Sequence, residues 1–236
     1  MAGFWDRVLG PRVPSEEAVK HRERYRRPFL LFALAAVLLL ISIVFPYWRL
    51  YLRAPQYPEG LTVQAFVNRL EGDVAELEGL NHYVGLPSFE DGAVLERSVS
   101  VIAIIVLAGL VFAGFYIHSR YVLLLTLPAL LFPFIFLADL QYWLWRYGHD
   151  LDPRAPLANA VGEFTPHLFG PSEIAQFETT AWPGIGLVLA FVASGLVAAG
   201  LWFHRKAYKP LVEELEAEEA EEAVEAEPPT SGVPAG

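Results

Sequence analysis

A chain of 236 residues that is 54% apolar and yet carries a formal net charge of −10 must keep its charges apart from its apolar runs, since ionised groups are not buried without partners. The acids gather in two loops and in the stretch beyond Lys209, and no basic surface of the kind that holds nucleic acid is present. The absence of cysteine excludes disulfides, thiolate metal sites, iron–sulfur clusters, covalently attached haem and cysteine nucleophiles together.

The first 28 residues read as a cytoplasmic segment, amphipathic at Phe4, Trp5, Val8 and Leu9 and basic from Lys20 to Arg27, with Ser15 as a helix N-cap. Four apolar stretches follow, at 29–48, 98–117, 121–142 and 182–203. Each has the roughly 20 apolar residues needed to cross about 30 Å of hydrocarbon. The expected fold is therefore an all-α membrane protein of four transmembrane helices, with a small α+β extracytoplasmic cap formed by the two loops at 49–97 and 143–181.

Orientation follows from the cations. Every lysine, with Arg22, Arg24, Arg26, Arg27, Arg120 and Arg205, falls on one side of these stretches, whereas the two long loops hold six arginines against thirteen acids. This predicts a bacterial inner-membrane protein with the N-terminus, the turn at 118–120 and the acidic tail at 204–236 in the cytoplasm. Tyr47, Trp48, Tyr51, Tyr142, Trp143, Trp145, Tyr147 and Trp182 mark the outer headgroup level. One Met, three Asn and four Gln are few for the length, a scarcity of thermolabile side chains that suggests a thermophile.

In the first loop, Leu61, Val63, Ala65 and Val67 alternate with Thr62, Gln64, Phe66 and Asn68, which predicts a strand. Asp73 and Glu76 have the spacing of a capping box, and Val74, Leu77, Leu80 and Tyr83 recur at helical spacing up to Gly85. The second loop is dominated by X-Pro turns, with one helical turn expected at 172–177. Its Phe164, Leu168, Phe169, Ile174 and Phe177 are expected to pack onto the first loop. The Ala/Glu run beyond Leu211 is expected to be a solvated, partly helical tail.

Two stretches of the first loop are distinctive: Tyr57-Pro58-Glu59-Gly60-Leu61, and Glu76-Leu77-Glu78-Gly79-Leu80-Asn81-His82-Tyr83-Val84-Gly85-Leu86 after Gly72-Asp73. Together with Phe164-x-Pro166 and the stretch 177–184, they resemble a pattern in small bacterial membrane proteins associated with nitrogen-oxide respiration, near nitric oxide or nitrous oxide reductase and copper-handling components. The pattern has asparagine where Glu78 stands and methionine where Leu86 stands, so a thioether ligand for copper is missing here. The resemblance implies an association with respiration. The motif residues Tyr57, Pro58, Glu59, Gly60, Leu80, Asn81, His82 and Tyr83 are the expected positions for docking a partner.

His82, His149 and His167 lie on the outer side with carboxylates near them in sequence, a donor set suited to copper or zinc. Their spacing matches no ligand motif, and Asn81 and His82 equally suit a helix terminus. Asp139, inside the third stretch, calls for a partner such as Arg146 or an arginine of the first loop. Span four carries small residues four apart, Gly186 with Ala190 and Gly195 with Ala199, which let helices approach closely. No nucleophile constellation, phosphate loop or cofactor motif is present. The expected function is a non-catalytic accessory or assembly subunit of a respiratory membrane complex, in contact with the bilayer and another integral membrane protein. The alternative is a membrane protein that binds or passes a metal or small solute.

Overall fold

The structure, a computed structural model, describes residues 22–117, 121–174 and 177–225. The amphipathic patch near Phe4, the Ser15 cap, the turn at 118–120 and the last eleven residues lie outside the described residues. In chain order the elements are α1 (Arg22–Ser42), β1 (Trp48–Ala54), β2 (Tyr57–Ala65), β3 (Leu70–Gly72), α2 (Val74–Val84), α3 (Val94–Gly114), α4 (Val122–His149), α5 (Ala158–Val161), β4 (Gly170–Ile174), β5 (Phe177–Pro183) and α6 (Ile185–Glu225).

This corrects the expected architecture. Among the described residues there are six helices, three of them long and apolar enough to cross a membrane, and a five-stranded antiparallel sheet, rather than four transmembrane helices under a small cap. The three are α3, α4 and the Ile185–Ala207 part of α6. The first apolar stretch is not among the three: α1 ends at Ser42 and Trp48, the last residue of that stretch, already belongs to β1. Its first turns are spent on arginines, and the apolar part at 29–42 is only about 21 Å long at 1.5 Å per residue, short of the roughly 30 Å of hydrocarbon.

The sheet has the order β3-β2-β1-β5-β4. Its central strand β1 pairs on one side with β5, which lies more than a hundred residues later in the chain, with Trp48 opposite Pro183 and Arg53 opposite Glu178. The stretch read as the start of span four is therefore the end of a strand. Burial along β5 alternates from Phe177 through Thr179 to Ala181, the period-2 pattern of a half-buried strand. The helical turn expected at 172–177 is likewise part of the β4–β5 hairpin, in which Ser172 pairs with Thr179.

The predicted strand in the first loop is β2, and the predicted helix is α2. Asp73 does not cap that helix with its side chain; Oδ2 accepts the Thr62 N–H at 2.7 Å instead, tying the helix start to the sheet. Gly85 closes the other end in the left-handed region at φ 89°, where its N–H donates to the Asn81 carbonyl at 2.7 Å. Phe177 and Phe164 of the second loop join Leu52, Leu61, Leu77 and Val84 in one apolar cluster beneath the sheet.

The helices pack as α1 on α6 and α3, with α4 closing against α6 and α3. Phe32, Leu39, Ile104, Val111, Leu187 and Val197 form the interior. Small residues serve this interior: Ala190 and Ala193 are fully buried, and Gly186 lies against the Tyr47 ring. Tyr47 joins the two layers. Its hydroxyl donates to Ser42 Oγ at 2.7 Å, and Ser42 Oγ donates to the Leu39 carbonyl at 2.6 Å. Burial pushes the Tyr47 phenol up to about 12, against the pull of the Ser42 bond, so it stays a neutral donor. The Ala/Glu run continues α6 through Pro210 to Glu225.

Candidate functional site

The sheet layer carries two concave places, one at its tip and one at its base. The β1–β2 hairpin leaves the helices at Trp48 and turns at Ala54 and Tyr57, about 20 Å away for six residues of extended chain. At this tip a cavity of about 360 Å³ is lined by Gln56, Tyr57, Gly79, Leu80, Tyr83 and Leu157, among others. The two distinctive stretches of the first loop, some twenty residues apart in sequence, meet here through Tyr57 on one side and Leu80 and Tyr83 on the other. Tyr83 is 57% exposed, and its carbonyl accepts the Leu157 N–H at 3.0 Å, which fixes the second loop as a wall.

The remaining residues of those stretches are divided. Pro58 and Glu59 are exposed at the start of β2. Gly60 adopts a positive φ beneath the Tyr51 ring, whose hydroxyl donates to the Glu59 carbonyl at 3.1 Å. Asn81 points the other way, into the base of the sheet, and is 3% exposed. His82 is exposed at the end of α2.

The three histidines singled out in the sequence, His82, His149 and His167, are placed separately. His149 donates Nδ1–H to the Trp145 carbonyl at 2.8 Å, with Nε2 3.8 Å from a Glu163 oxygen, and His167 donates Nδ1–H to the Pro171 carbonyl at 2.8 Å. Among the described residues, no three His, Asp or Glu side chains are grouped so as to hold a metal ion.

At the base, between the sheet, α3 and α4, lies a half-open chamber of about 520 Å³ with almost wholly apolar walls. Leu52, Val63, Leu77 and Phe177 form its roof, and Val99, Ala103, Ile135 and Phe136 its helical walls. Its few polar groups are Arg69, Asn81, Glu96, Arg97, Ser100, Asp139, Thr179 and the aromatic heads of Trp48, Trp143 and Tyr147. Asp139 is half-buried here. Its neighbours are the Trp143 indole one turn on and Glu96 of α3, and among the described residues no arginine or lysine is within ion-pair distance. Arg146, expected as its partner, instead reaches the Tyr142 hydroxyl at 3.4 Å and lies over the Trp143 ring.

Neither cavity was foreseeable from spacing, because each is built from residues of both loops. The signal that was present is the excess of apolar and aromatic residues in those loops.

The division of α2 can be tested directly. Leu77 and Val84 are its buried apolar residues, and Leu80 is half-buried in the tip cavity. Leu77→Ala should cost about 2–5 kcal/mol in thermal unfolding, whereas the exposed His82→Ala should stay within about 0.5 kcal/mol.

No protein-family model matches the chain, and no curated protein matches it.

Proposed function

We propose that the chain is a non-catalytic accessory or assembly protein of a bacterial inner-membrane complex, of the respiratory kind that its loop motifs resemble. The observation that carries this reading is the convergence of the two distinctive stretches on the cavity at the hairpin tip, with Tyr83 displayed beside it. Exposed aromatic side chains around a desolvated pocket are the usual anchors of a protein interface. The partner is an integral membrane protein that places an apolar side chain of an outer loop between Tyr57 and Tyr83.

The sheet faces the outside and, after the three crossings of α3, α4 and α6, the segment beyond α6's apolar part faces the cytoplasm. Support comes from the cations: the apolar part of α6 ends away from the sheet, where Arg205 and Lys206 are exposed. The second reading, a metal- or solute-binding membrane protein, has less support, since the outer histidines are each engaged or exposed separately.

Gly79 supplies the test, because a side chain there meets nothing within 4 Å and yet would stand at the cavity rim. Gly79→Arg should leave the unfolding temperature unchanged or slightly higher, since glycine costs about 1 kcal/mol inside a helix. The same substitution should abolish recovery of the stoichiometric membrane partner that purifies with the parent chain in mild detergent. Equal recovery with both chains, or no stoichiometric partner with either, would rule the reading out.

A further inference from the structure

The chamber at the base of the sheet lies behind Leu80, Val84 and Phe177, the wall it shares with the tip cavity used above, and its polarity is graded along its length. Arg97 lies in the first turn of α3 and Asn81 at the end of α2, both at the level where the helices meet the sheet. Deeper along the same helices the walls are Val99 and Ala103 on α3 and Phe132, Ile135 and Phe136 on α4. Val99 and Ile135 both line the chamber and are 47% and 58% exposed, so the chamber is reached from the flank of these two helices.

Among the described residues, three buried nitrogens on residues that line the chamber have no hydrogen-bond partner: Asn81 Nδ2, on a residue 97% buried, Arg97 Nε, and Trp143 Nε1 on α4. The Arg97 head is held in place, because Nη2 donates to the Glu90 carbonyl at 2.5 Å. All three nitrogens are donors. Buried polar groups are otherwise almost always paired, so the complement of this chamber is an acceptor at one end of an apolar body.

We infer that the chamber holds one chain of a bilayer diacyl lipid, entering from the flank between α3 and α4, with an ester carbonyl accepting from Asn81 Nδ2 and Arg97 Nε. The grading matches the way a lipid lies in a bilayer: ester groups at the interface, where helix ends carry their polar and aromatic residues, and the chain among apolar side chains below. A volume of about 520 Å³ falls within the roughly 300–1,000 Å³ typical of small-molecule sites. The bound chain fills the gap between the sheet and the helices, joining the two layers where the side chains do not meet.

The full chain, reconstituted in equimolar phosphatidylcholine and phosphatidylglycerol vesicles and re-extracted in mild detergent, is examined by native mass spectrometry. One phospholipid per chain should survive delipidating washes. Ala103→Phe, which fills the lower chamber, and Asn81→Leu, which removes the amide donor, should each lose it. Ile135→Trp does the same from an exposed position on the margin, so that a folding defect at Ala103 cannot mask the result. Circular dichroism should show all three variants folded. Retention of the same lipid by all three would identify an annular lipid and overturn the proposal. So would a washed parent chain free of lipid, or one carrying a prenylquinone or a polypeptide in its place.

Discussion

Replacing Phe177 by alanine is expected to cost about 3–5 kcal/mol, the usual penalty for emptying a buried phenylalanine site. Phe177 is 5% exposed at the start of β5, where its ring meets the apolar residues of β1, β2 and α2 beneath the sheet. It also stands between the two cavities, lining both. Loss of the ring therefore removes the main apolar contact holding the second loop on the first and opens one cavity toward the other. Thermal unfolding in detergent should show a fall in midpoint on the order of 10 °C. Phe177→Leu, which keeps most of the volume, should recover more than half of it. A midpoint unchanged by Phe177→Ala would mean that the second loop is held on the sheet mainly by its strand pairing.

The second large effect is expected at Gly184, the residue between β5 and α6. A Cβ there would lie 2.0 Å from the Pro46 carbonyl oxygen, which is backbone and cannot swing aside as a side-chain tip would. The backbone is pinned on both sides: the Gly184 N–H donates to the Tyr47 carbonyl at 2.8 Å, and the Tyr47 N–H donates to Ala65 at 2.7 Å. Gly184→Val should cost about 3 kcal/mol, at the upper end of overpacking penalties or beyond, because relief requires β1 and β5 to separate at the helix level. Gly195→Ala, at a position open within 4 Å, is the control and should be neutral or slightly stabilising. Limited proteolysis of the two variants beside the parent chain reports the difference as cleavage near residues 43–47 in Gly184→Val alone.

How much of this was legible depends on whether the signal was local. The apolar runs that became α3, α4 and α6 announce themselves by length and purity, and α2 by its 3.6-residue spacing and its closing glycine. What misled the reading was the overlap of two codes. Tyr47, Trp48, Tyr51 and Trp182 carry the composition of an interfacial belt, but Trp48 and Tyr51 also lie on a strand, as does Trp182, and the aromatic content hid the alternation beneath it. Glu178, Thr179 and Thr180 lie before the apolar run of span four and gave no helical period, which is the mark that a strand begins there. The pairing of β1 with β5 could not be read at all, since it joins residues more than a hundred positions apart in the chain. The same holds for the candidate sites. Tyr57, Leu80 and Tyr83 were singled out for their motif, but only the fold makes them neighbours. Asn81, grouped with them by sequence, faces the other cavity.

The strand order has a consequence for how the molecule is made. β1 finds β2 within a few residues, but its other neighbour, β5, is synthesised roughly 130 residues later. At translation rates of about 5–20 residues per second the gap is on the order of ten seconds, during which the inner edge of β1 has unpaired N–H and C=O groups. A product broken off before Phe177 would keep that edge permanently open, the condition under which strands pair with other chains. The native sheet is guarded at its final edges by a three-residue β3 and by Pro171 in β4, but no such device protects β1. Arrival of β5 is thus what seals the sheet, and truncated chains should be recognised by quality control as strand-exposed intermediates.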